Sequence, residues 1–352
     1  MKIVIEAFAL KNSKSGTGRY AIDIISKLSC NHEVVVITRE PDMASLKEIP
    51  SNVEVVLAEN FIFVPTNVYL YFFLGSFLKK LDFDFAIFLI GCRPLFFNGI
   101  YDLVICDFNH KIFPSSLKLL TKIIYIFSSH SSIRKARNLI SISEGTSKKS
   151  KNFYQRSADI VINPSLLKFK NIQPKAITGL PKNFSVYVGA IEPRKNISNL
   201  LIAHEYAVDS GMIDDKLLLI SSQSWFDKKV QALLKTMKHS ELLPSVEENE
   251  LAWIYLNAER AYMTTYYEGY GMPAAEAQFF GSKVICTDII ELREATKDKE
   301  IYVGTSSGDI LCGIAKSLDP SLSIEENRDL LKEDLFELQV NEYNKLITSR
   351  KL

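Results

Sequence analysis

Short runs of β-branched and other apolar residues alternate along this chain with longer segments whose apolar positions recur at helical spacing. Parallel strands need a long crossover between them, so this alternation predicts a parallel α/β architecture. Within residues 117–136, for example, Leu117, Leu120, Ile124 and Phe127 lie at helical spacing. In the first half the pattern predicts strands at 2–6, 33–38, 53–57, 85–89, 103–106 and 139–141, and helices at 19–28 and 117–136.

A segment with three prolines, 164–181, interrupts the alternation and predicts a boundary between two domains. The pattern then predicts strands at 185–189, 216–220, 260–264, 283–286 and 300–303, and helices at 196–208, 226–235, 247–256 and 274–280. An amphipathic segment predicts a last helix at 325–347. The predicted domains are therefore 1–168 and 182–330, with a terminal helix in 331–352.

One segment, 61–78, is nearly apolar and long enough to raise the question of a membrane span. Pro65, Thr66 and Asn67 split it, and two lysines close it. We predict a short strand or loop, followed by a helix at 68–81 that is buried in the first domain. Docking of this aromatic helix on a membrane surface is the alternative, and a transmembrane span is disfavoured.

Length and composition indicate an ordinary two-domain globular protein of 352 residues, 47% hydrophobic and 24% charged. The net charge of +1 is unevenly spread. Residues 1–165 carry 20 Lys and Arg against 14 Asp and Glu, a net of +6, whereas residues 166–352 carry 22 against 27, a net of −5. The basic half suits an anionic surface or an anionic acceptor, and an ordinary fluctuation explains the asymmetry equally well.

The cysteines and the first residues predict a cytoplasmic location. The five cysteines form no C-x-x-C pair and lie mostly in or beside apolar runs, which is typical of reduced thiols rather than of disulfides or a zinc site. The chain begins with a predicted strand, and Glu6 interrupts any signal-peptide core. We expect no nucleic-acid partner.

The most informative segment runs from Glu268 to Glu276 and reads Glu-Gly-Tyr-Gly-Met-Pro-Ala-Ala-Glu. Its glycines let the backbone approach a ligand closely, and Pro273 suits the first position of a helix. A helix start offers free N–H groups to an anion, while carboxylates accept hydrogen bonds from sugar hydroxyls. The segment therefore suits a nucleotide sugar, although a plain turn before a helix fits this segment equally well.

Four segments in order resemble the retaining glycosyltransferases of the GT-B fold, family 4. The resemblance covers the chain from residue 1 to about 305, and its last two segments are the specific ones. The segments are Ser15-Gly16-Thr17-Gly18-Arg19-Tyr20, Ser143-Glu144-Gly145-Thr146, Tyr187 to Asn196, and the two-glutamate segment followed by Gly281 to Asp288. The resemblance implies two Rossmann-like parallel-sheet domains that face each other across a cleft, with the terminal helix packing back toward the first domain.

The resemblance also implies catalytic roles for four side chains. Arg194 and Lys195 would stabilise the charge that develops on a leaving diphosphate. Glu268 would contact hydroxyls of the donor sugar, and Asp107 would be the retained aspartate of a family segment whose histidine lies near the reacting sugar. The resemblance further implies retention of anomeric configuration through front-side attack assisted by the leaving phosphate. The sequence itself offers no evident covalent nucleophile.

The remaining predicted site residues would bind the donor nucleotide. Glu276 would hold the ribose, and backbone N–H groups of Tyr270, Gly271 and Met272 would meet sugar or phosphate. From the other domain, the glycines after the first strand would approach the diphosphate, namely Gly16 and Gly18.

One segment departs from the family pattern. Residues 105–110 resemble a family segment that usually reads His-Asp, and Cys106 stands at the histidine position. A thiol can neither carry a stable positive charge nor donate a strong hydrogen bond. Asp107 is retained, and His110, four residues on, is a candidate substitute. Packing is a better interpretation of Cys106 than a nucleophilic role.

We expect no metal and no cofactor besides the donor substrate. Asp82-Phe83-Asp84 mimics the metal-binding motif of another glycosyltransferase fold, but it precedes the strand predicted at 85–89 and so reads as a solvated turn. The five histidines are dispersed in the sequence. Arg194 and Lys195 would take the role of the metal cation.

The favoured interpretation is a retaining, metal-independent glycosyltransferase that moves a hexose to a growing, lipid-diphosphate-linked surface glycan such as O-antigen or capsule. Mannose is the favoured hexose and GDP-mannose the favoured donor, because the third segment and the Gly-Thr-Gly-Arg-Tyr opening resemble bacterial mannosyltransferases. A rhamnosyl, fucosyl, glucosyl or N-acetylhexosaminyl donor stays open. Basic residues in 117–137 and at Lys148, Lys149 and Lys151 would suit peripheral contact with the inner membrane face.

Two other interpretations were weighed. A catalytically impaired glycosyltransferase-like scaffold or sugar-binding protein stays open because of Cys106. A nucleotide-sugar epimerase or dehydrogenase is disfavoured, since Tyr343-Asn344-Lys345 lacks the Tyr-x-x-x-Lys spacing of that chemistry.

Overall fold

The computed structural model describes residues 1–12, 15–58, 64–117, 119–221, 227–321 and 335–349. The chain forms two compact units, which are Met1–Ser165 with Leu335–Leu352, and Leu166–Asp334. Its strands are β1 Lys2–Glu6, β2 Glu33–Thr38, β3 Glu54–Leu57, β4 Phe85–Phe88, β5 Tyr101–Ile105, β6 Leu139–Ser141, β7 Ile160–Val161, β8 Phe184–Val188, β9 Lys216–Ile220, β10 Ser240–Leu243, β11 Ala261–Met263, β12 Val284–Thr287 and β13 Ile301–Val303.

The α-helices described are α1 Gly16–Leu28, α2 Met43–Glu48, α3 Thr66–Phe72, α4 Leu74–Leu78, α5 Asn109–Ile112, α6 Leu119–Lys135, α7 Glu144–Tyr154, α8 Ile197–Asp209, α9 Lys228–Leu234, α10 Glu248–Asn257, α11 Met272–Phe279, α12 Ile290–Ala295, α13 Ser307–Ser317 and α14 Leu335–Ser349. Each unit contains one parallel sheet with helices between its strands, so the predicted parallel α/β organisation is confirmed.

The sheet of the first unit has the order β3-β2-β1-β4-β5-β6-β7. Every residue of β4 and β5 is buried. Apart from Asp102 in β5, their residues are apolar, because both faces of a parallel sheet are covered. The order reverses between β1 and β4, since the chain first builds outward to β3 and then returns to the other side of β1. This reversal makes the carboxyl ends of β1 and β4 a topological switch point.

The last described helix, α14, packs within the first unit against α1 and β7. The Tyr343 hydroxyl donates to Asp102 Oδ2 at 2.6 Å, and the same buried carboxylate accepts from Arg137 and Asn138. Gln339 and Asn163 exchange two further hydrogen bonds, at 2.8 and 2.9 Å. The fully buried Asp102 carboxylate anchors α14, because each of its hydrogen-bond donors offsets part of the cost of removing the carboxylate from water.

The second unit repeats the design with the strand order β10-β9-β8-β11-β12-β13. Alternate residues of its strands pack into two separate apolar clusters, one on each face of the sheet. In β9, for example, Leu217 and Leu219 belong to one cluster and Leu218 and Ile220 to the other. The strand order reverses between β8 and β11, which places the switch point of this unit at their carboxyl ends.

The segment predicted to form one helix at 68–81 forms two, α3 and α4, which meet at Phe73. A Cβ on Gly75 in α4 would lie 3.0 Å from backbone atoms of Phe96 and Phe97, so glycine permits a close approach here. Tyr69, Leu74 and Leu78 are buried, which confirms the buried-helix interpretation. Residues 61–63 of the predicted apolar segment lie outside the described residues, as do Phe226 and 325–334 of two predicted helices. In the described part of the chain, each helix is too short or too polar to cross a bilayer.

Candidate functional site

In the second unit, the predicted charged residues follow the two strands that flank the switch point. Arg194 and Lys195 lie in a short 3₁₀ turn after β8, and Glu268 lies in the loop after β11. The Arg194 carbonyl accepts hydrogen bonds from the Tyr266 N–H at 2.8 Å and from the Thr265 hydroxyl at 2.9 Å. These bonds fix one loop to the other at the edge of the sheet where ligands of such folds bind.

The three charged side chains form one buried cluster. The Lys195 ammonium contacts Glu268 Oε1, and Arg194 Nη1 lies 3.3 Å from Glu268 Oε2. Arg194 also donates to Glu192 at 2.9 Å and to the Tyr267 carbonyl at 3.1 Å. Lys195 and Glu268 are each only 7% exposed. Two cations and two carboxylates are thereby held in defined positions, as a site that must meet a polyanion requires.

Electrostatics keep Glu268 ionised in this cluster. Burial opposes its ionisation, but the attraction of Lys195 and then of Arg194 outweighs burial and lowers the pKa of the carboxyl. The cations are therefore neutralised within the protein in part by Glu268. An arriving diphosphate would compete with that carboxylate for the same N–H donors.

Glu276 belongs to a second buried group in the same unit. Its Oε1 lies 3.3 Å from the Lys168 ammonium, and its Oε2 accepts from the Tyr255 hydroxyl at 3.4 Å. Burial raises the pKa of Glu276, and Lys168 offsets part of that effect. Lys168 also lies 3.2 Å from Glu248. The pattern analysis missed Lys168, which lies at a junction segment and in no motif.

The segment between the two glutamates makes the expected glycine turn into a helix. Gly271 precedes α11 with φ +111°, and a Cβ there would lie 2.4 Å from Leu292 Cδ2. Only glycine fits both conditions. Met272 is the first residue of α11, so Pro273 lies one position later than predicted, still within the first turn. Burial raises the pKa of the Tyr270 phenol, which keeps it neutral.

In the first unit, the two predicted glycines have different surroundings. Ser15 caps α1, with its hydroxyl accepting from the Gly18 N–H at 3.0 Å. A Cβ on Gly18 would lie 2.2 Å from the Asn12 carbonyl oxygen, so Gly18 serves close packing of the turn. A Cβ on Gly16 would meet no atom of the described residues within 4 Å. The backbone at Gly16 is thus open to approach, and that at Gly18 is already occupied by its own chain.

A cavity of about 520 Å³ lies in the first unit, a size typical of small-molecule sites. Thr17, from the opening glycine segment, lines it together with Cys106, Asp107 and His110. Two motifs that are far apart in sequence therefore share one cavity. The other lining residues are mostly apolar and comprise Phe8, Ala9, Thr66, Leu70, Leu89, Ile90, Gly91, Ile105, Phe108, Asn109, Leu117, Thr121, Tyr125 and Ile133.

Cys106 behaves as a neutral packing group. Its thiol contacts the Leu89 carbonyl oxygen at 3.6 Å, and burial raises its pKa to about 12. A thiol with so high a pKa is a poor nucleophile at neutral pH. The neighbouring Asp107 is exposed and accepts from the Asn109 N–H at 2.9 Å.

His110 is buried and neutral. Its Nε2 lies 3.0 Å from the Tyr154 hydroxyl and 3.4 Å from the Ser129 hydroxyl, and its ring stacks on Tyr125. Burial lowers its pKa to about 4, with the nearby Lys111 adding to the effect. A histidine in this state cannot supply a positive charge at neutral pH.

The Asp82-Phe83-Asp84 turn and one further group of possible ligands lie away from the sites above. Asp84 is exposed at the amino end of β4, where it accepts from the Lys2 N–H at 2.8 Å, as predicted for a turn. In the described part of the chain, Glu205, Asp209 and His239 place ligand atoms within 4.8 Å of one another. Both Glu205 oxygens already accept backbone N–H groups, at 2.7 and 3.2 Å.

A comparison with known protein families finds a match that lies within the second unit. Residues 168–328 match the family described as Glycosyl transferases group 1. The chain is also similar to O-antigen chain mannosyltransferase B of Escherichia coli, with 23% identity over 197 residues, which is 52% of each protein. The chain thus spans about half the length of that curated relative.

Solved structures resemble nearly the whole chain. Sucrose-phosphate synthase from Thermosynechococcus elongatus has a TM-score of 0.75 at 15% identity, covering 99% of this chain and 100% of the other. WaaG, a glycosyltransferase involved in lipopolysaccharide biosynthesis, has a TM-score of 0.70 at 14% identity, covering 98% and 99%. These neighbours confirm the predicted fold class, the two parallel-sheet α/β domains of GT-B glycosyltransferases.

Proposed function

We propose that this protein is a retaining, metal-independent glycosyltransferase that transfers mannose from GDP-mannose to a growing, lipid-diphosphate-linked surface glycan. The observation that carries the proposal is the buried cluster of Arg194, Lys195 and Glu268 at the switch point of the second unit. The family match of residues 168–328 includes this cluster. The similarity to an O-antigen mannosyltransferase favours mannose over other hexoses.

The proposed chemistry is charge stabilisation of the departing diphosphate. Arg194 offers a planar set of N–H donors and Lys195 a compact charge, and both are held before the reaction begins. Glu276 would accept hydrogen bonds from the ribose hydroxyls, and the N–H groups at the start of α11 would face sugar or phosphate. The cations would replace a metal, so chelators should leave the rate unchanged.

We assign the acceptor to the cavity of the first unit. Its volume of about 520 Å³ suits a sugar with part of its aglycone, and its walls combine apolar side chains with hydroxyl, amide and carboxylate groups. Asp107 is the exposed carboxylate of this cavity and would receive a hydrogen bond from an acceptor hydroxyl.

The same unit carries the surface proposed to contact the inner face of the membrane. Five apolar side chains of α6 are exposed, including Leu119 at 73% and Phe127 at 75%. Residues 111–156 contain ten Lys and Arg and a single acidic residue, Glu144. A basic segment with an exposed apolar row suits anionic lipid headgroups. Thr121 and Tyr125, on the opposite side of α6 from the exposed row, line the cavity, so an acceptor anchored in the membrane would lie close to it.

Donor binding is the direct test. We expect Lys195→Ala and Glu276→Ala each to weaken GDP-mannose binding roughly tenfold in calorimetry, the scale of one lost hydrogen bond to a charged group. Lys216→Ala and Glu241→Ala are matched controls on exposed residues of the same sheet and should leave affinity unchanged. Equal affinities for all four variants would contradict the assignment.

Activity separates the enzyme from the scaffold that Cys106 suggests. Incubation with GDP-, UDP-, ADP- and dTDP-sugars and glycan acceptors, followed by mass spectrometry, should show transfer from GDP-mannose in the presence of a chelator. Nuclear magnetic resonance of the product should show the donor's anomeric configuration. Binding without transfer or donor hydrolysis would instead favour a sugar-binding scaffold.

A further inference from the structure

Two chain segments meet at the switch point of the first sheet and line its cavity. Phe8 and Ala9 follow the carboxyl end of β1, and Leu89, Ile90 and Gly91 follow that of β4. Ligands of open parallel sheets bind at such points. The spacing of the two segments therefore sets the shape of the cavity wall.

Glu6, the last residue of β1, joins these two segments. Its side chain is 1% exposed. Oε1 accepts from the Phe8 N–H at 2.8 Å, and Oε2 accepts from the Leu89 N–H at 3.2 Å. One buried carboxylate thus connects the Phe8 and Leu89 segments of the cavity wall. An ionised carboxylate can do this because it has two acceptor oxygens and no donor.

Two further side chains hold the segment after β4. The Cys106 thiol contacts the Leu89 carbonyl oxygen at 3.6 Å, and the Tyr125 hydroxyl donates to the Ile90 carbonyl at 2.9 Å. Leu89 is therefore held at its N–H by Glu6 and at its carbonyl by Cys106. Cys106, which stands at the family's histidine position, therefore has a structural role.

The buried surroundings of Glu6 disfavour its ionised form. The titratable groups that face it in the described residues are Cys92 after β4, Cys106 after β5 and Tyr125 on α6. Burial raises the pKa of both thiols to about 12 and raises the pKa of the Tyr125 phenol well above its ordinary value, so all three are neutral. Burial also raises the pKa of Glu6 to about 7, against the lowering effect of its two backbone hydrogen bonds.

We propose that Glu6 is a positioning residue for acceptor binding, because its carboxylate fixes the distance between the Phe8 and Leu89 segments that line the cavity. The inference rests on the proposed function, which places the acceptor there. The ionised form accepts both N–H groups, whereas the protonated form loses one acceptor. Acceptor binding should therefore tighten as pH rises through about 7, the pKa of Glu6.

The test compares Glu6→Gln with Glu300→Gln. Glu300 is a matched control in the second unit, since its carboxylate also accepts two N–H groups, from Val284 at 3.0 Å and Gln278 at 2.9 Å, and burial likewise raises its pKa to about 7. Steady-state transfer from GDP-mannose to octyl α-mannoside, a neutral acceptor, is measured between pH 6 and 8. Hydrogen exchange of the peptide that contains Leu89 is measured in parallel.

We expect Glu6→Gln to raise the acceptor KM about tenfold, the effect of one lost hydrogen bond to a charged group, with the donor KM unchanged. The wild-type acceptor KM should fall as pH rises, and this dependence should disappear in Glu6→Gln but persist in Glu300→Gln. Exchange at Leu89 should accelerate only in Glu6→Gln. An unchanged acceptor KM, equal increases in both KM values, or unchanged exchange would overturn the proposal.

Direct binding keeps this test separate from that of the proposed function. If the wild type transfers no sugar, the proposed function fails, and calorimetric titration with octyl α-mannoside still compares wild type with Glu6→Gln. A tenfold difference in affinity supports the role of Glu6; equal affinities, or no binding to the wild type, refute it. If Glu6→Gln does not fold, Glu6→Asp, which keeps both oxygens on a shorter side chain, should raise the acceptor KM about threefold, and no change would refute the proposal.

Discussion

At the scale of single residues, local motifs revealed charged groups but not their distant partners. Arg194, Lys195 and Glu268 lie in segments whose composition draws attention, and the structure brings them into contact. Lys168 and Glu6 lie in no motif, because their importance comes from contacts with residues far along the chain. The local sequence pattern does not show contacts between residues that lie far apart in the chain. The surroundings of Cys106 were equally invisible, although its packing role was the favoured interpretation.

The turn before α11 makes a prediction at the same scale. Gly271→Ala should lower the free energy of unfolding by about 1–3 kcal/mol, because the residue would be strained at φ +111° and its Cβ would overlap Leu292. Gly16→Ala is the matched control, since a Cβ there meets none of the atoms in the described part of the chain within 4 Å. Urea unfolding should leave that control within about 0.5 kcal/mol of wild type. Equal effects of the two changes would refute the assigned role of Gly271.

At the scale of elements, long apolar runs were predicted well and short or mixed ones were not. The bounds of β1, β2, β6 and β9 are those predicted. The pattern missed β7, which has two residues, and β10, which contains Ser240 and Glu241 and is only partly buried. It also missed α13, where Gly308 and Gly313 weaken the helical signal. Contacts with neighbouring strands and helices stabilise such elements, and the local periodicity of the sequence does not show those contacts.

The exposed face of α6 carries a prediction at this scale. We expect wild-type protein to sediment with vesicles that contain phosphatidylglycerol and much less with pure phosphatidylcholine vesicles. The double change Leu119→Asp and Phe127→Asp should weaken binding to the anionic vesicles at least about tenfold, because two exposed apolar side chains no longer enter the interface. Leu338→Asp is the control, a leucine on the acidic helix α14 that is 57% exposed. Equal loss in the control would argue against α6 as the contact surface.

At the scale of the whole molecule, each unit contains a carboxyl whose pKa is raised to about 7, and burial also raises the pKa of Glu276 in the second unit. Burial raises the pKa of Glu6 in the first unit and of Glu300 in the second from 4.5 to about 7. Between these values the native state retains protons that the unfolded chain has lost, so stability falls as pH rises from about 4.5 to about 7. His110 acts in the opposite sense, since its pKa is lowered from 6.5 to about 4 and its contribution is lost as pH falls below 6.5.

These opposing effects predict the pH dependence of the free energy of unfolding. Below pH 6.5 His110 offsets about one of the two carboxyls, so the decline with rising pH should be gradual between about pH 5.5 and 7. The double change Glu6→Gln and Glu300→Gln removes both titrations. The stability of wild type relative to this variant should therefore fall by up to about 5 kcal/mol between pH 5 and 8 in chemical unfolding. A difference that does not vary with pH would show that neither carboxyl is protonated in the native state. The proposal that protonation of Glu6 weakens acceptor binding would then fail as well.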